Sequence, residues 1–331
     1  MASADAAREC PSTFILIQGF ILYHVIFLSA AILNTVVFVG PFFYPKTVGL
    51  FVALPYLSHT LLFRRDEIKD GAHWPLFSNH FWIFSVMRQF LQLEIATLPI
   101  ELTEEELKEG AQFVIGVFPH GSWADYRVLM DGMLPRIFPN LASNIKTLAA
   151  SVLFRMPVIR EIGLWTGCVD ARRSVAERQL EHGRSLLIVP GGEAEQIRTT
   201  FGKEIIYLSK RKGFVKLALQ RGIPLVPCYV FGCSDYYHTS SCLFDARVAL
   251  VKMLGVCIPL ASGYMGSPCC PFPVKTTVVF GKPIKSNVQD KSFPTQEEID
   301  TAHAKFVVSI KTLFDEHKCR LGYEDRALVI L

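Results

Sequence analysis

The chain is predicted to be an α/β protein in which a mostly parallel sheet is flanked by helices and preceded by an N-terminal hydrophobic membrane hairpin. Two observations lead to this fold class. From residue 111 onward, apolar runs of strand type alternate with runs of helical periodicity, which is typical of a parallel sheet covered on both faces. Before that, residues 14–39 contain no Asp, Glu, Lys or Arg, and a second apolar run follows closely, so the two can enter a bilayer together.

The composition limits the class of partner. A chain of 331 residues can form one large domain or two modest ones, and half of its residues are hydrophobic. The net charge of +4 does not indicate a nucleic-acid partner, although basic clusters could meet lipid headgroups or phosphorylated ligands. The nine cysteines are irregularly spaced, and the adjacent Cys269 and Cys270 suit a disulfide framework poorly. We therefore expect the folded domain to face a reducing cytosol.

Residues 1–12 are predicted to be a short cytosolic segment and residues 13–63 the hairpin. Its first limb exceeds the roughly 20 helical residues that cross a bilayer core, and it is too long for the apolar part of a cleaved signal peptide. The second limb, 47–63, is short enough that it either crosses or is only embedded. Basic residues flank the outer ends: Arg8, Arg64, Arg65 and Lys69. Because positive residues favour the cytoplasmic side, both ends of the hairpin are expected in the cytosol.

Residues 64–110 are predicted to be an interfacial linker, ending in a charged turn or helix at 103–110, and residues 111–331 form the cytosolic domain. Its strand-like runs are 111–118, 145–150, 185–190, 224–231 and 276–280. Its helix signals are a capping box at 174–177, a helical run at 209–220 closed by Gly222, and a second capping box at 295–298 that opens a long amphipathic helix.

A titratable pair follows the first strand of this domain. Strand 111–118 ends before Pro119, His120 stands in the turn after it, and Asp125 follows five positions later. Open α/β sheets place their chemistry at the carboxyl ends of the strands. A His held in one tautomer by a carboxylate can take a proton from an alcohol as that alcohol attacks a carbonyl. The pattern predicts His120 as a general base and Asp125 as the residue that orients it.

A second strand end carries paired glycines. Gly191 and Gly192 follow strand 185–190 and could present backbone N–H groups to an oxyanion or a phosphate. Glu193 or Glu195 could orient a hydroxyl. A plain strand–turn–helix joint would have the same composition, so the pattern leaves both interpretations open.

A basic segment opens the helix near residue 213. Arg211, Lys212 and Lys216 surround Gly213 and Phe214, and Arg172 and Arg173 are further cations. A cationic helix start suits phosphate groups, although a solvated helix face would look the same.

These segments together resemble the type 2 diacylglycerol acyltransferase family, which includes monoacylglycerol and wax-ester acyltransferases. Residues 118–121 resemble its His-Pro-His-Gly motif, with Phe118 in place of the first His. Residues 211–232 match its long signature at ten spaced positions, although Cys233 follows where a Glu or Gln is usual. Blocks at 155–161 and 276–284 also resemble family segments. His120-x4-Asp125 and Pro190-Gly191-Gly192-Glu193 are similar to the glycerolipid acyltransferases that use H-x4-D.

The resemblance implies a membrane-bound enzyme of the endoplasmic reticulum with a glycerolipid-acyltransferase-like fold. It would move a fatty acyl group from acyl-CoA to the free hydroxyl of diacylglycerol and form triacylglycerol. His120, Asp125, Glu193 and Glu195 would be the catalytic candidates. Substrate-binding candidates are Pro119, Gly121, Gly191, Gly192, Arg211, Gly213, Phe214 and Lys216.

The partners implied are acyl-CoA, a lipid alcohol and membrane lipid, and the resemblance leaves a homo-oligomer open. We expect neither a metal nor a cofactor apart from acyl-CoA as a substrate. A monoacylglycerol, wax-ester or lysophospholipid acyltransferase remains an alternative, as does a non-enzymatic lipid-binding membrane protein. Because the related family carries His at position 118, Phe118→His is expected to be tolerated.

Overall fold

Two apolar segments begin the chain. The computed structural model describes residues 10–96, 111–136, 144–255, 257, 259–285, 288 and 290–331. Helix α1 covers Thr13–Phe38, and the short α2 covers Gly40–Phe43. The second limb, Pro45–Phe63, contains α3 (Leu54–Ser58) between two stretches of wider, π-helical turns. Both limbs are long and apolar enough to cross a membrane.

Helix α1 exposes apolar side chains on one face. Residues at helical spacing along this face are each at least 53% exposed: Phe14, Ile17, Ile21, Val25, Leu28 and Ile32. Its other face buries Gly19 and Tyr23 against the rest of the protein. A helix at the surface of a water-soluble protein would carry polar residues on its outer face, so this arrangement suits contact with lipid.

Residues 64–96 form part of the fold itself. They contain α4 (Glu67–Asp70), α5 (Pro75–His80), α6 (Trp82–Phe90) and β1 (Glu94–Ile95). Strand β1 pairs in parallel with β10 (Thr277–Phe280) and becomes one edge of the main sheet. The predicted interfacial linker therefore supplies a strand, and its charged end at 103–110 lies outside the described residues.

The main sheet has seven strands in the order β1-β10-β7-β2-β5-β3-β4. The other strands are β2 (Val114–Phe118), β3 (Ile145–Ala149), β4 (Cys168–Asp170), β5 (Ser185–Ile188) and β7 (Leu225–Phe231). All five predicted strands are confirmed, and so is the mostly parallel sheet, because only the β10–β7 pairing is antiparallel. Two small sheets pair β6 (Glu204–Ile206) with β11 (Leu328–Ile330), and β8 (His238–Thr239) with β9 (Ala261–Ser262).

Helices cover both faces of the sheet. They are α7 (Asp125–Asp131), α8 (Ile159–Trp165), α9 (Arg173–Glu181), α10 (Gly192–Gln196), α11 (Gly213–Arg221), α12 (Phe244–Leu254) and α13 (Gln296–Lys318). The capping box at Thr295 is confirmed.

Two predicted helix starts are wrong. Arg172, not Ser174, precedes the first turn of α9, and no side chain caps it, so residue 174 already lies inside the helix. Helix α11 begins at Gly213 rather than at 209, because the backbone N–H groups of Leu208 and Ser209 donate to the carbonyl oxygen of Leu331.

The central strand β2 separates two hydrophobic layers. Because side chains alternate along a strand, Ile115 and Val117 face the layer that includes α1, α6 and α7. Val114 and Phe118 face the opposite layer, which includes α9, α11 and α13. The turn after β2 therefore lies at the sheet edge with one layer on each side.

Candidate active site

The turn after β2 has a tightly fixed backbone. Its first peptide bond, Phe118–Pro119, is cis, and the Pro119 carbonyl oxygen accepts a hydrogen bond of 2.9 Å from the hydroxyl of the buried Tyr126. Gly121 has a φ of +69°, and a Cβ at this position would overlap Cys233 Sγ. Glycine satisfies both requirements at once, so residue 121 shapes the turn that holds His120.

His120 presents one ring nitrogen without a protein partner. Its Nδ1 lies 2.9 Å from the Gly121 carbonyl oxygen, which can only accept, so Nδ1 carries the proton. Its Nε2 then keeps a lone pair and has no hydrogen-bond partner among the described residues. Burial lowers the pKa of His120, and the Gly121 carbonyl and the Glu193 carboxylate oppose that shift only in part. A neutral imidazole at pH 7 is the state that a general base requires.

Asp125 does not orient His120. It is the first residue of α7 and follows Ala124, whose φ is +53°. Within the described part of the chain no hydrogen bond joins the two side chains, and the Gly121 carbonyl takes the place expected for the carboxylate. Asp125 instead lies near Tyr237, and burial raises its pKa to about 7 although the Tyr237 hydroxyl opposes the shift.

Glu195 fixes the backbone of the site. Its buried carboxylate accepts hydrogen bonds from the backbone N–H of His120 and, at 2.6 Å, from that of Tyr207. Burial raises the pKa of Glu195 to about 7, opposed by these two N–H groups and by Arg211. The carboxylate therefore ties the turn after β2 to Tyr207, which precedes the basic segment at the start of α11.

Glu193 is the carboxylate that acts on the His120 ring. It lies two residues before Glu195 in the first turn of α10, and its charge raises the pKa of His120. The structure thus brings together His120, Glu193 and Glu195 and leaves Asp125 on the other side of the turn. An imidazolium formed at His120 would be stabilised by Glu193.

Both of the paired glycines already make contacts with other residues of the fold. The Gly192 N–H donates to the Val189 carbonyl oxygen at 3.2 Å, so it is not available to an oxyanion. A Cβ at Gly191 would overlap the carboxyl group of Glu195. The Gly191 carbonyl oxygen accepts a 3.2 Å hydrogen bond from Arg211 Nη2. This pair therefore allows Glu195 to approach the turn closely.

A cation-lined cleft of about 340 Å³ opens on the α9 and α11 side of the sheet. Its cations are Arg173, Lys210, Arg211 and Lys212. Arg173 pairs with Glu177 and Lys212 with Asp300, both at 2.7 Å. No ion pair joins Lys210 to the residues that the structure describes. Lys210 is not among the residues predicted from the sequence to bind substrate, although it belongs to the same basic run as Arg211 and Lys212.

The other residues predicted to bind substrate have different surroundings. Gly213 and Phe214 line the cleft, but the Phe214 ring is 7% exposed and packs on Phe306 at 5.0 Å. Lys216 does not line it. Phe118 is fully buried beside Phe306 in the layer that includes α11 and α13, so the expected tolerance of Phe118→His does not agree with its apolar surroundings.

Comparison with known proteins places the chain among acyltransferases. The profile of the diacylglycerol acyltransferase family matches residues 47–331. Diacylglycerol O-acyltransferase 2 of Bos taurus is 31% identical over 280 residues, 78% of this chain and 71% of that protein. 2-acylglycerol O-acyltransferase 3 of Homo sapiens is 32% identical over 243 residues, 68% of this chain and 70% of that protein.

Two further similarities are weaker in coverage or in structure. Diacylglycerol O-acyltransferase 1 of Eremothecium gossypii is 30% identical, but the chain spans only 58% of its length. The crystal structure of the 1-acyl-sn-glycerophosphate acyltransferase PlsC from Thermotoga maritima aligns with a TM-score of 0.41 at 14% identity, over 91% of this chain and 97% of that one. That value is too low to support an argument about the site. The family profile and the relatives in sequence agree, and the chain belongs to the diacylglycerol acyltransferase family.

Proposed function

We propose that the protein transfers a fatty acyl group from acyl-CoA to the free hydroxyl of diacylglycerol and forms triacylglycerol. The observation that carries this proposal is the placement of His120. The turn that carries His120 lies at the edge of the sheet, with the layer that contains α11 on one side and the layer that contains α1 on the other. A base in this position can meet a phosphorylated donor on one side and a lipid acceptor on the other.

The reaction follows from that arrangement. His120 Nε2 takes the proton of the acceptor hydroxyl as its oxygen forms a bond to the thioester carbonyl carbon. Glu193 stabilises the resulting imidazolium. The C–S bond then breaks, the ester remains on the acceptor, and the CoA sulfur takes the proton from His120. The thioester is already activated, so the proposed step requires no metal or further cofactor.

The cleft suits the phosphate groups of acyl-CoA. Phosphate binds well to arginine and lysine side chains, and four cations line this cleft. Arg211 also contacts Gly191, so a bound phosphate would be linked to the loop that holds Glu195. This connects donor binding with the position of His120.

A product assay tests the proposal. Membranes containing the protein are incubated with radiolabelled oleoyl-CoA and, separately, with dioleoylglycerol, monooleoylglycerol, hexadecanol or lysophosphatidic acid, and the products are separated by thin-layer chromatography. We expect labelled triacylglycerol to be the main product. A preference for monooleoylglycerol would establish the second candidate, which the human 2-acylglycerol relative favours. No labelled ester from any acceptor would contradict an enzymatic role.

We further infer that the protein resides in the endoplasmic reticulum membrane, with both ends of the hairpin and the catalytic domain in the cytosol. The support is the pair of long apolar helices and the basic residues that follow the second one. Glycosylation acceptor sites introduced at residue 5 and after residue 65 should both stay unmodified in microsomes. Modification of either one would contradict this topology.

A further inference from the structure

Four polar atoms in the layer beside α1 are buried and have no hydrogen-bond partner among the residues that the structure describes. They are Tyr23 Oη, Trp123 Nε1, Asp125 Oδ2 and Tyr237 Oη. Tyr23 is 2% exposed and Tyr237 is 1% exposed. A buried polar group without a partner loses its hydration and gains nothing in return, so several together indicate a ligand that would complete them.

These atoms form one group, which we call the α1 polar cluster. The Tyr237 hydroxyl is close enough to Asp125 to act on its pKa, and the charge of Asp125 also reaches Tyr23 on α1. Trp123 packs on Phe27, one turn after Tyr23 on the same helix, with ring centroids 5.7 Å apart. The cluster therefore lies between α1 and the start of α7.

The cluster adjoins the turn that carries His120. Cys233 contacts Gly121 from one side, and its thiol is within reach of the Asp125 charge. Asp125 itself follows His120 by five residues. The cluster and the cation-lined cleft thus lie on opposite faces of the sheet, with His120 at the edge between them.

We propose that the α1 polar cluster binds the uncharged headgroup of the acceptor lipid, through its free hydroxyl and its ester carbonyl oxygens. This proposal rests on the proposed function. The cluster offers two hydroxyls and an indole N–H as donors and one carboxyl group, and none of its four members is a cation. It therefore matches a neutral glyceride and does not match a phosphorylated acceptor, whose charge would be left unpaired.

The position of the cluster also fits a ligand that comes from the bilayer. Tyr23 belongs to a helix whose outer face is apolar and exposed. Acyl chains could lie along that helix while the headgroup reaches Asp125. Because the pKa of Asp125 is raised to about 7, its carboxyl group can be protonated near neutral pH, which suits a neutral ligand.

Tyrosine-to-phenylalanine substitutions test the proposal. Tyr23→Phe removes a hydroxyl that has no hydrogen-bond partner among the described residues, and Tyr237→Phe removes one whose described polar neighbour is Asp125, so each should change the melting temperature little. If the hydroxyls bind the acceptor, KM for dioleoylglycerol should rise about three- to tenfold in each variant. KM for oleoyl-CoA should not change.

Tyr236→Phe is the matched control. Tyr236 is equally buried and adjacent in sequence, but its hydroxyl is bonded to Thr276 Oγ1 at 2.7 Å. This substitution should lower the melting temperature and leave KM for dioleoylglycerol unchanged. The two cluster variants should thus change KM for dioleoylglycerol, whereas Tyr236→Phe should change the melting temperature. This difference separates a role in ligand binding from a structural role.

A binding measurement separates this proposal from the catalytic one. The probe is radiolabelled dioleoylglycerol, which keeps the free hydroxyl that the proposal requires and cannot be acylated in the absence of acyl-CoA, added to the full chain in lipid nanodiscs. We expect saturable binding that unlabelled dioleoylglycerol displaces, that phosphatidic acid does not displace, and that Tyr237→Phe weakens. Binding and acceptor KM equal to wild type in both Tyr→Phe variants would overturn the proposal and show that the cluster holds only water, even if wild type makes triacylglycerol. A wild type that binds the probe but makes no ester would overturn the proposed function alone.

Discussion

The two sides of the His120 turn satisfy their polar groups in different ways. On the α11 side, the polar groups are charged and only partly partnered: Lys212 pairs with Asp300, and Arg211 Nη2 donates to Gly191, whereas Arg211 Nε has no partner among the described residues. On the α1 side, the polar groups are neutral or easily neutralised, more deeply buried, and have no partners. Charged groups that reach water suit a substrate that arrives from the cytosol, whereas buried neutral groups suit one that arrives from the membrane. The difference is what we expect if, as proposed, the two substrates approach His120 from opposite faces of one sheet.

The largest effect is expected at His120, which serves both sides. His120→Ala should lower kcat by roughly 10²- to 10⁴-fold, because the proton of the acceptor hydroxyl has no other base. The KM values for both substrates should change little. The measurement is the initial rate per amount of folded, membrane-inserted protein.

The structural alternative for His120 makes a different prediction. Glu195 accepts from the backbone N–H of residue 120, and this bond survives removal of the imidazole. The melting temperature of His120→Ala should therefore stay close to wild type. Near-normal specific activity in this variant would show that the imidazole ring is not the base. The proposed reaction would then have no identified base between the two substrate sides.

The next effect is expected on the charged side. Hydrogen bonds to charged groups are worth roughly 1.5–3 kcal/mol, so Arg211→Ala should raise KM for acyl-CoA by about tenfold or more. Lys210→Ala should raise it less, because lysine makes fewer fixed contacts with phosphate. Steady-state kinetics with acyl-CoA as the varied substrate, repeated at high ionic strength, would measure both effects and their screening by salt.

Lys216→Ala is the control for this pair, because it removes a cation of α11 that does not line the cleft. It should leave KM for acyl-CoA unchanged, and all three variants should leave KM for the acceptor unchanged. A rise in acceptor KM in Arg211→Ala would mean that the two sides are not separate.

The pH dependence tests which carboxylate acts on His120. Burial lowers the pKa of His120, so the acid limb of kcat/KM should lie below pH 6.5, the ordinary value for histidine. Glu193 opposes this shift, so Glu193→Gln should lower the pKa further and move the limb to lower pH. The pH–rate profile of the variant, compared with wild type, gives the direction.

Asp125→Asn completes that test. Asp125 has no hydrogen bond to His120 within the described residues, so the acid limb should stay where it is in wild type. We expect a higher acceptor KM instead, if Asp125 belongs to the α1 polar cluster. A limb that moves in Asp125→Asn and not in Glu193→Gln would restore the His–Asp pairing that the sequence predicts.

The smallest effect on catalysis is expected from Phe118→His. Residue 118 packs beside Phe306 in the α11 layer and does not line the cation-lined cleft. An imidazole there has no polar partner, so the variant should lose roughly 1–3 kcal/mol of stability. The activity of the protein that remains folded should stay near normal. Thermal denaturation together with specific activity would show this, and an inactive but fully stable variant would contradict it.

Sequence patterns located the framework of the site better than its contacts. The apolar run ending at Pro119 placed His120 at a strand end, because a buried parallel strand leaves a simple signal. The long signature is largely a packing feature in the structure: Gly222 and Gly232 have left-handed φ values, and Phe231 lies in the core. Such requirements are local, so they remain visible in one sequence.

The contacts that sequence could not predict join distant segments. The position of Asp125 depends on the left-handed Ala124 and on Tyr23 and Tyr237, which lie about a hundred residues away on either side. Glu195 reaches both His120 and Tyr207. No spacing rule relates these residues.

Helix α1 is joined to the catalytic domain by specific contacts along its length. Gly19 lies so close to Phe90 that any Cβ would overlap the ring. His24 Nε2 accepts from the Ser267 hydroxyl at 2.8 Å, and Asn34 donates to the Pro157 carbonyl oxygen at 3.1 Å. An unrelated apolar helix grafted in its place would still enter the bilayer but would lack the residues that close one wall of the acceptor side. The membrane anchor is therefore not interchangeable, and a truncated, water-soluble version of the enzyme would lose part of its own interior.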